Sequence, residues 1–547
     1  MKKIIISIFI LVNLLFSAEK TDYYAEMSEN IKLFFDVMRT LNEQYVDTMD
    51  VEELMTNGID AMLKTLDPYT VLLDEDQASH FDELNTGNYS GIGIYLGTSG
   101  ADKRLTVISP MDDTPASRVG LRAGDRIMFI GERSTEGMTT KDASKYIRGD
   151  EGTKVTMKVE RLGKSKFLKF VLTREKINIK NIPYSGMLEN NVGYIKVSQF
   201  MSTTYHDFSL AMEKLIADGA QALILDFRYN PGGLLGAAVK LANTVIDKDK
   251  LIVSTKGRDG TKDNEYLTYL TPIDTEIPLA VLINGSSASA SEIFAGSLQD
   301  YDRAVIIGEP SFGKGLVQQI FNVGRLTSKS IKITVRKYFT SSGRLIQKED
   351  YFHEKKEGDE YKKKKGTPIY NSLINNREVV SGQGIIPDVI VKNPKESLYI
   401  LNLKMKNKFN DFLYSYVNDN PDFHYKDKVT DEIISSFKDY IKGCEFEYDL
   451  KGEREIDSLF VYSEKNEYSD EVIAKLKELK KEFEDQKSSD FEKNMGPIKK
   501  YLAIEFGVYT HGNQEKYKIL IKNDEQIKKA VQILSRRKEY YEILGYK

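Results

Sequence analysis

Apolar residues recur at helical spacing in the first part of the chain, from Tyr24 to about Phe81. Such a stripe indicates amphipathic helices. Pro68, in the segment TLDPYTVLL, then interrupts the pattern, because proline lacks the backbone donor that a continuing helix needs. We therefore expect a helical lead-in over residues 19–83.

Residues 84–174 change to short β-rich runs that are separated by glycine and charged turns. The runs are YSGIGIYLG, RLTVIS, RIMFIGE, TKVTMKVER and KFLKFVLTR. Between them, TTKDASKYIRG predicts a helix with Thr140 as its N-cap and Gly149 as its C-terminal stop. This combination predicts a small β-barrel with one clear helix.

From residue 187 the pattern alternates between strands and helices. NVGYIKVSQF predicts a strand, residues 203–218 a helix, and QALILDFRYNPGG a buried strand that enters a tight turn. PLAVLINGSSASASEIFAGSLQDYDRAVIIGE then adds a strand, a helix and a strand, which is a βαβ unit. Residues 175–395 are therefore predicted to form an α/β core.

After residue 396 the chain is rich in Lys and Glu, with an apolar stripe between Val472 and Phe483. This predicts a charged, mostly helical C-terminal domain over residues 396–547. A chain of 547 residues exceeds the size of a single hydrophobic core, so the fold class is multidomain α/β. The net charge of −4 gives no reason to expect nucleic acid as a partner.

The first residues read MKKIIISIFILVNLLFSAEK, with two lysines ahead of an apolar stretch from Ile4 to Phe16. This pattern is typical of a secretory signal peptide over residues 1–18, and a short membrane anchor is the alternative. Because the only cysteine, Cys444, lies far away, we expect neither a lipid-anchored N-terminus nor an internal disulfide. The protein is expected in the periplasm or cell envelope, either soluble after cleavage or tethered there with peripheral membrane association.

Candidate chemistry begins in NGSSASASEIFAG, which opens a predicted helix whose N-terminus would favour a developing oxyanion. Ser289 and Glu292 also match a capping box, so a plain helix cap is the alternative.

None of the five histidines lies in a motif for a catalytic base. Lys314, in PSFGKGLVQ, has apolar and glycine neighbours that could keep it neutral by burial. Gln318 would share its face if residues 314–320 form a strand, whereas a solvent-facing pair is the alternative.

The same lysine stands in IIGEPSFGKGLVQQI, which contains most of a phosphate-binding P-loop. A P-loop needs Ser or Thr directly after the lysine, but this position is Gly315. The residues that follow also favour a strand over a helix. Nucleotide binding is therefore disfavoured.

Together, SSASASEIFAG and DRAVIIGEPSFGKGLVQ resemble the active-site signature of the C-terminal processing peptidases, which are tail-specific S41 serine proteases. LDPYT, LILDFRYNPGG, RKYFTSSGRLIQ and GIIPDV extend the resemblance over roughly residues 65–392. It implies a crotonase/ClpP-like α/β protease core with a Ser/Lys dyad or a Ser/Lys/Gln triad. The interval between serine and lysine selects Ser289 with Lys314, and Gln318 matches the glutamine. Asp300 falls where another branch has a supporting aspartate, and an ordinary helix-end carboxylate is the alternative.

The resemblance further implies that residues 84–174 are a PDZ domain. Such a domain adds an extended peptide to a sheet edge and holds its terminal carboxylate with backbone N–H groups. The implied tail-binding residues are Gly91, Ile92, Gly93, Ile94 and Arg148. A glycine-kinked strand and a generic cationic C-cap are the alternatives for these two features.

The turn NPGG is implied to supply the other half of the reacting centre. In the family, a glycine N–H from this turn joins the N–H of the residue after the nucleophile, here Ala290, in the oxyanion hole. We assign Gly232, although Gly233 stays open and a structural turn would look identical.

The signal-like N-terminus and the resemblance together imply an exported serine endopeptidase that recognises C-terminal tails through its PDZ domain. The expected partners are proteins or peptides with exposed C-terminal tails, and no cofactor or metal is expected. A PDZ scaffold or adaptor that binds exported proteins without cutting them is the alternative. The flanking helical regions are candidates for a homodimer interface or for docking an adaptor protein.

Overall fold

The computed structural model describes residues 2–74, 77, 81, 83, 85–99, 102–161, 163–258, 263–323, 329–349, 351, 356–357, 360–361, 368–420, 423–426, 428–444 and 446–546. Side chains are described from residue 23 onward, except at 356, 357, 360 and 361. The predicted signal peptide, residues 1–18, lies outside the described side chains and stays a prediction.

The helical lead-in consists of α1 (Lys2–Gln44), α2 (Val51–Lys64) and the short strand β1 (Val71–Leu73). Many large apolar side chains between residues 23 and 46 are exposed. Within the ranges described above, no helix has both the length and the apolar character needed to cross a bilayer.

A small barrel follows, and its core consists of aliphatic side chains from its strands and from one helix. Its elements are β2 (Asn88–Gly91), β3 (Ile94–Ser99), β4 (Arg104–Pro110), α3 (Pro115–Arg118), β5 (Arg126–Ile130), β6 (Arg133–Ser134), α4 (Thr140–Ile147), β7 (Lys154–Glu160), β8 (Leu168–Thr173) and β9 (Glu175–Asn178). The strand order is β3–β4–β5–β7–β8, and β6 pairs with β5. β2 pairs with β9 where the chain enters and leaves the barrel. The strand β3 therefore lies at an edge of the sheet, next to α4.

The N-cap of α4 is Thr139, so the prediction of Thr140 is wrong by one residue. Thr139 has an extended backbone, and its side chain accepts a hydrogen bond from the N–H of Asp142 at 3.2 Å. Thr140 is already helical. Adjacent threonines differ only in backbone conformation, which the sequence pattern cannot distinguish.

The α/β core is built around a six-stranded sheet with the order β10–β11–β12–β15–β16–β23. The core elements are β10 (Tyr184–Met187), β11 (Val192–Lys196), α5 (Thr204–Ala217), β12 (Ala222–Asp226), α6 (Leu235–Ala242), β13 (Leu251–Lys256), β14 (Asn264–Leu267), β15 (Leu279–Ile283), α7 (Ala290–Asp300), β16 (Ala304–Gly308), β17 (Leu316–Asn322), β18 (Ser330–Thr340), β19 (Lys356–Glu357), β20 (Glu360–Tyr361), β21 (Ile369–Asn371), β22 (Glu378–Val380) and β23 (Val389–Ile390). In the six-stranded sheet, neighbouring strands are parallel, except that β10 runs antiparallel to β11. Every residue of β12, β15 and β16 is buried, as expected for parallel strands that are covered on both faces.

A second sheet has the order β1–β18–β13–β14, with β17 paired to β18. The pairing of β1 with β18 joins the lead-in to the core. Residues just before β1 are thereby brought next to the loop that precedes β17.

The C-terminal region is helical, and its helices are α8 (Leu398–Met405), α9 (Lys408–Asp419), α10 (Asp431–Gly443), α11 (Glu453–Lys465), α12 (Asp470–Ser488), α13 (Asp490–Lys493), α14 (Met495–His511), α15 (Asn513–Lys522), α16 (Glu525–Ser535) and α17 (Arg537–Ile543). The helices α8, α9, α10 and α14 share a hydrophobic core of their own. Cys444 follows α10 and carries a free thiol.

The two faces of the central sheet are covered by different parts of the chain. α5, α6 and α7 pack on one face. The other face packs against α16 and α17, through side chains such as Ile527, Ile533 and Tyr540. The last helices are therefore part of the α/β core, a packing that the predicted division at residues 395 and 396 did not anticipate. The predicted multidomain α/β class, with a barrel, a helical lead-in and a helical C-terminal region, is confirmed.

Candidate active site

Ser289 lies between β15 and α7, where it caps the helix. Its backbone has φ 54° and ψ −113°, a conformation that residues with a Cβ rarely adopt. Strain of this kind persists only where the surrounding contacts fix it, and it clusters at active sites. The backbone of Ser289 is therefore held in a specific, strained position at the helix N-terminus.

Lys314 lies in the loop between β16 and β17, and its amine is largely removed from solvent. Its Nζ lies 4.7 Å from the ring centroid of Tyr69, which precedes β1 in the lead-in. The pKa of Lys314 falls from 10.5 to about 8, chiefly because burial disfavours the ammonium and also because Lys332 is a nearby positive charge. Glu292 and Asp67 act in the opposite direction. An appreciable fraction of the amine is therefore neutral at mildly alkaline pH.

The element after Lys314 is the strand β17 and not a helix. A P-loop presents the N-terminus of the following helix to the bound phosphate. In the described residues that follow Lys314, a strand stands in the place of that helix. The structure thus argues against nucleotide binding at this loop.

A buried carboxylate connects the loop of Lys314 to the helix of Ser289. Oε2 of Glu292 accepts hydrogen bonds from the backbone N–H of Ser289 at 2.8 Å and from that of Lys314 at 2.9 Å. Oε1 accepts from the N–H of Gly313 at 2.7 Å and from the hydroxyl of Ser311 at 2.5 Å. Burial raises the pKa of Glu292 to about 7, while these four donors favour the ionised form.

A tyrosine hydroxyl makes a second connection between the same two residues. The Tyr338 hydroxyl lies 2.5 Å from the carbonyl oxygen of Lys314 and 3.2 Å from that of Ser289. It has a single proton to share between them, and the shorter distance favours Lys314. Burial raises the pKa of Tyr338 well above its usual value, so it remains a donor. Both backbones are thus tied together at their N–H groups by Glu292, and the Tyr338 hydroxyl lies between their carbonyls, where it donates to that of Lys314.

The structure does not bring Gln318 to Lys314 by a hydrogen bond. Its Nε2 donates to Oγ1 of Thr334 at 3.3 Å. β17 begins at Leu316, so Lys314 lies in the loop before the strand, where the alternation of side chains along a strand does not apply. The premise that placed Gln318 on the face of Lys314 is therefore not met, and its role stays a prediction.

The turn after β12 lies against Ser289. A Cβ on Gly232 would lie 2.9 Å from the backbone nitrogen of Ala290 and 2.9 Å from Cβ of Ser289, so only glycine fits here. The N–H of Gly232 donates to Oδ1 of Asn230 at 2.8 Å. In the described part of the chain, the N–H groups of Gly233 and Ala290 make no hydrogen bond. The geometry therefore favours Gly233 over Gly232 as the companion of Ala290.

Asp300, at the end of α7, is completely buried. Its carboxylate accepts from Nη2 of Arg344 at 2.5 Å and from the N–H of Ser342 at 2.8 Å. These contacts fit the alternative of a structural helix-end carboxylate.

A small cavity lies at the edge of the barrel, between β3 and α4. Its volume is about 50 Å³, and its lining residues are Tyr89, Ile92, Gly93, Ile94, Leu96, Ser144, Ile147 and Arg148. Four of the five predicted tail-binding residues thus line one cavity, while Gly91 ends the neighbouring strand β2. Within the described residues, the N–H groups of Ile92 and Gly93 make no hydrogen bond. These groups are suitably placed to bind a carboxylate at an open sheet edge.

Arg148 is the C-cap of α4, and its guanidinium lies 4.7 Å from the ring centroid of Tyr89. It also forms an ion pair with Glu83, which belongs to the lead-in. A second ion pair joins Lys141 of α4 to Asp74, directly after β1, at 2.6 Å. Helix α4, beside the cavity, therefore contacts the lead-in. The same part of the lead-in contains Tyr69, whose ring lies next to the Lys314 amine.

Sequence reasoning missed Tyr69 and Tyr338 as residues of the site. It considered Glu292 only as part of a helix cap. Glu292 carried a signal, because it is the N3 residue of the capping box. Tyr69 and Tyr338 lie within matched motifs, but nothing in those motifs indicates which residue they contact.

Comparison with known families places the site in the matched segments. The family model "Peptidase family S41" matches residues 191–351, and a "PDZ domain" model matches residues 106–161. A third model, "Probable PDZ-protease, C-terminal helical domain", matches residues 399–534. The S41 match contains Ser289, Lys314 and the turn at 231–233.

Curated relatives agree with these families. The "Carboxy-terminal-processing protease" of Bartonella bacilliformis is 37% identical over 321 residues, which cover 57% of this chain and 72% of that protein. The "Probable CtpA-like serine protease" of Staphylococcus epidermidis is 34% identical over 346 residues, which cover 62% of this chain and 68% of that protein. The solved "Photosystem II D1 C-terminal processing protease" is 26% identical and covers 66% of this chain and 92% of that one, at a TM-score of 0.36 that is too low to support structural conclusions. The chain thus belongs to the S41 family of carboxy-terminal-processing serine proteases that carry a PDZ domain.

Proposed function

We propose that this protein hydrolyses peptide bonds with Ser289 as nucleophile and Lys314 as general base, in proteins whose C-terminal tails are captured by its PDZ domain. The observation that carries the proposal is the double connection of Ser289 and Lys314, through Glu292 and through Tyr338. It holds a serine at a helix N-terminus beside a lysine whose pKa is lowered to about 8.

In the proposed reaction the neutral amine of Lys314 takes the hydroxyl proton of Ser289 as its oxygen attacks the peptide carbonyl. The ammonium so formed then gives this proton to the leaving amine, and water hydrolyses the acyl-enzyme by the same steps. The backbone N–H groups of Ala290 and Gly233 are proposed to bind the oxyanion. Catalytic hydrogen bonds are often long without substrate and tighten when it binds. Gln318 is the proposed orienting residue for Lys314 only in such a substrate-bound state.

The proposed tail site is the cavity between β3 and α4. A tail that adds to the edge of β3 would place its carboxylate at the N–H groups of Ile92 and Gly93 and an apolar side chain in the cavity. Arg148 would report occupancy through Glu83 to the lead-in, and the lead-in would act on Lys314 through Tyr69. An empty PDZ domain is thereby proposed to keep the side chains of Ser289 and Lys314 out of their catalytic arrangement, while their backbones stay connected.

Export is also part of the proposal, and its support is the signal-like pattern of residues 1–18. We propose that the protein works in the periplasm or cell envelope. Cell fractionation together with the N-terminal mass of the mature protein tests this, and a cytoplasmic protein with an intact N-terminus would refute it.

Intact-mass measurement of a substrate protein tests the proposed activity. Two versions of the substrate, one with an apolar C-terminal tail and one with a charged tail, are incubated with the wild type, with Ser289→Ala and with Ser286→Ala. Ser286 is the matched control because it lies exposed in the same segment. We expect product from the wild type and Ser286→Ala, with preference for the apolar tail, and none from Ser289→Ala. Product from Ser289→Ala would refute the nucleophile, and binding without any product would favour a scaffold.

A further inference from the structure

Arg228 directly precedes, in the sequence, the turn that carries the proposed oxyanion donor. Two separate parts of the chain bind the guanidinium of Arg228. On one side Asp226, the last residue of β12, accepts from Nε at 3.1 Å and from Nη2 at 2.6 Å. On the other side Nη1 donates to Oδ2 of Asp524 at 2.7 Å and to Oε1 of Gln526 at 2.9 Å. The last two residues come from the start of α16, almost three hundred positions later in the chain.

Asp524 and Gln526 are themselves held in place by further bonds. Asp524 caps α16, because its Oδ1 accepts from the N–H groups of Gln526 and Ile527 at 3.0 Å each. The side chain of Gln526 is fully buried, and its Nε2 donates to the carbonyl of Val391, next to β23, at 2.6 Å. The contact with Arg228 thus joins a helix terminus to the sheet through side chains that make further hydrogen bonds of their own.

Charge explains why an acidic residue is needed opposite Arg228. The carboxylate of Asp226 also accepts from Nζ of Lys196 at 3.1 Å, so one buried carboxylate faces two cations. Asp524 supplies the second negative charge, and the cluster becomes neutral. An uncompensated buried charge is costly, and removal of one partner from such a group loosens what remains. Burial lowers the pKa of Lys196, while the negative charge of Asp226 acts in the opposite direction.

The cluster continues into the turn through the backbone. Lys196 donates to the carbonyl of Arg228 at 2.6 Å, and the next N–H, that of Tyr229, donates to Oδ1 of Asn284 at 3.0 Å. The carbonyl of Asn230 then accepts from the N–H of Ala288 at 3.1 Å and from the hydroxyl of Ser291 at 3.0 Å. These bonds connect the backbone of Arg228, through the 229–233 turn, to the residues on either side of Ser289.

We propose that Asp524 and Gln526 are positioning residues of the peptidase reaction, which through Arg228 fix the turn that presents the oxyanion donor beside Ser289. This inference rests on the proposed function. It assigns the C-terminal helical region a part in catalysis, in addition to its cover of the sheet.

The experiment compares Asp524→Asn, Asp524→Ala and Glu525→Gln in the full chain, with kcat, KM and Tm measured for each. Asparagine is a good helix cap, so Asp524→Asn keeps the cap. The single side-chain oxygen of this asparagine then accepts the N–H groups at the start of α16, so its NH₂ group faces the donors of Arg228. Glu525 is the matched control, since it is the exposed neighbouring carboxylate and pairs only with Lys528 among the described residues.

We expect Asp524→Asn to lower kcat by about tenfold or more with KM nearly unchanged and Tm close to the wild type, because oxyanion stabilisation acts in the transition state. Asp524→Ala should show the same loss of kcat and, in addition, a lower Tm from the lost cap. Glu525→Gln should match the wild type in all three quantities. A wild-type kcat in Asp524→Asn, or a loss of kcat that follows Tm across the variants, would overturn the inference.

The same assay separates failure of this inference from failure of the proposed function. If Ser289→Ala is inactive while Asp524→Asn has wild-type kcat, only the positioning role is wrong. If Ser289→Ala keeps its activity, the proposed nucleophile is wrong and the positioning role falls with it.

Discussion

The backbone N–H groups of Ser289 and Lys314 donate to the same carboxylate oxygen, Oε2 of Glu292. One residue lies at the start of α7, and the other lies in the loop after β16. A shared acceptor fixes the distance between the two backbones, while the side chains remain free to meet at a substrate. The relative position of the proposed nucleophile and base thus depends on a residue that takes no part in the proposed chemistry.

Replacement of Glu292 by Gln tests this dependence. The amide offers one oxygen to four donors and turns its NH₂ group towards the others, so buried N–H groups lose their acceptor. Each unsatisfied buried donor costs about 1–3 kcal/mol. We expect a lower Tm and a fall in kcat of at least tenfold, measured by thermal unfolding and by cleavage at saturating substrate. Glu309→Gln, in the same loop region, is the control, and an unchanged kcat in Glu292→Gln would contradict the prediction.

Tyr338→Phe removes the second connection and leaves the ring in place. The change deletes one hydrogen bond to the carbonyl of Lys314, which corresponds to about 1 kcal/mol of stability. We expect a small decrease in Tm together with a larger relative decrease in kcat, because the loop that carries Lys314 loses a fixed point. Tyr269→Phe, at an exposed position, should change neither quantity. A Tyr338→Phe variant with wild-type kcat would show that the Glu292 connection suffices.

Lys332→Met should move the pH dependence of activity. The positive charge of Lys332 disfavours protonation of Lys314, so its removal raises the pKa of Lys314. The neutral base then appears only at higher pH, and the rising limb of kcat against pH moves in the alkaline direction. Lys329→Met is the control, since Lys329 pairs with Glu52 at the surface. A shift in the acidic direction, or none, would show that the charge of Lys332 does not lower the pKa of Lys314, the proposed base.

Arg148→Ala distinguishes gating from tethering. If Arg148 reports tail binding through Glu83, its loss lowers kcat on tailed substrates by much more than it weakens the affinity for a tail peptide. Arg133→Ala, another arginine of the barrel, is the control. Tail-peptide affinity and kcat are measured for both variants. A wild-type kcat of Arg148→Ala at saturating substrate would leave the PDZ domain as a tether.

Sequence patterns predicted the elements that carry the candidate site better than the geometry of that site. The helix start at Ser289, the buried strands of the sheet and the barrel could be predicted, because each follows from local sequence patterns. Gln318 could not be placed, because the sequence pattern extends the strand back to Lys314, whereas β17 begins at Leu316. The choice between Gly232 and Gly233 likewise depends on the side chain of Asn230, which accepts one of the two N–H groups.

The role of the last helices was also beyond sequence reasoning. An apolar stripe shows that a helix buries one face, but it does not name the surface that the face covers. α16 and α17 cover the central sheet, and Asp524 reaches Arg228, through contacts between residues far apart in the chain. The lead-in shows the same limit, since Tyr69 meets Lys314 only because β1 pairs with β18.

The most direct test of a Ser289–Lys314 dyad is the pH dependence of kcat for the wild type and for Lys314→Arg, measured at saturating substrate. The wild type should gain activity as pH rises through the lowered pKa of Lys314, about 8, because the base must be neutral. Lys314→Arg should fold with a similar Tm and show no turnover at any pH, since the guanidinium stays protonated. Turnover by Lys314→Arg, or a wild-type profile that stays flat from mildly acidic to alkaline pH, would contradict the role of Lys314 as the base.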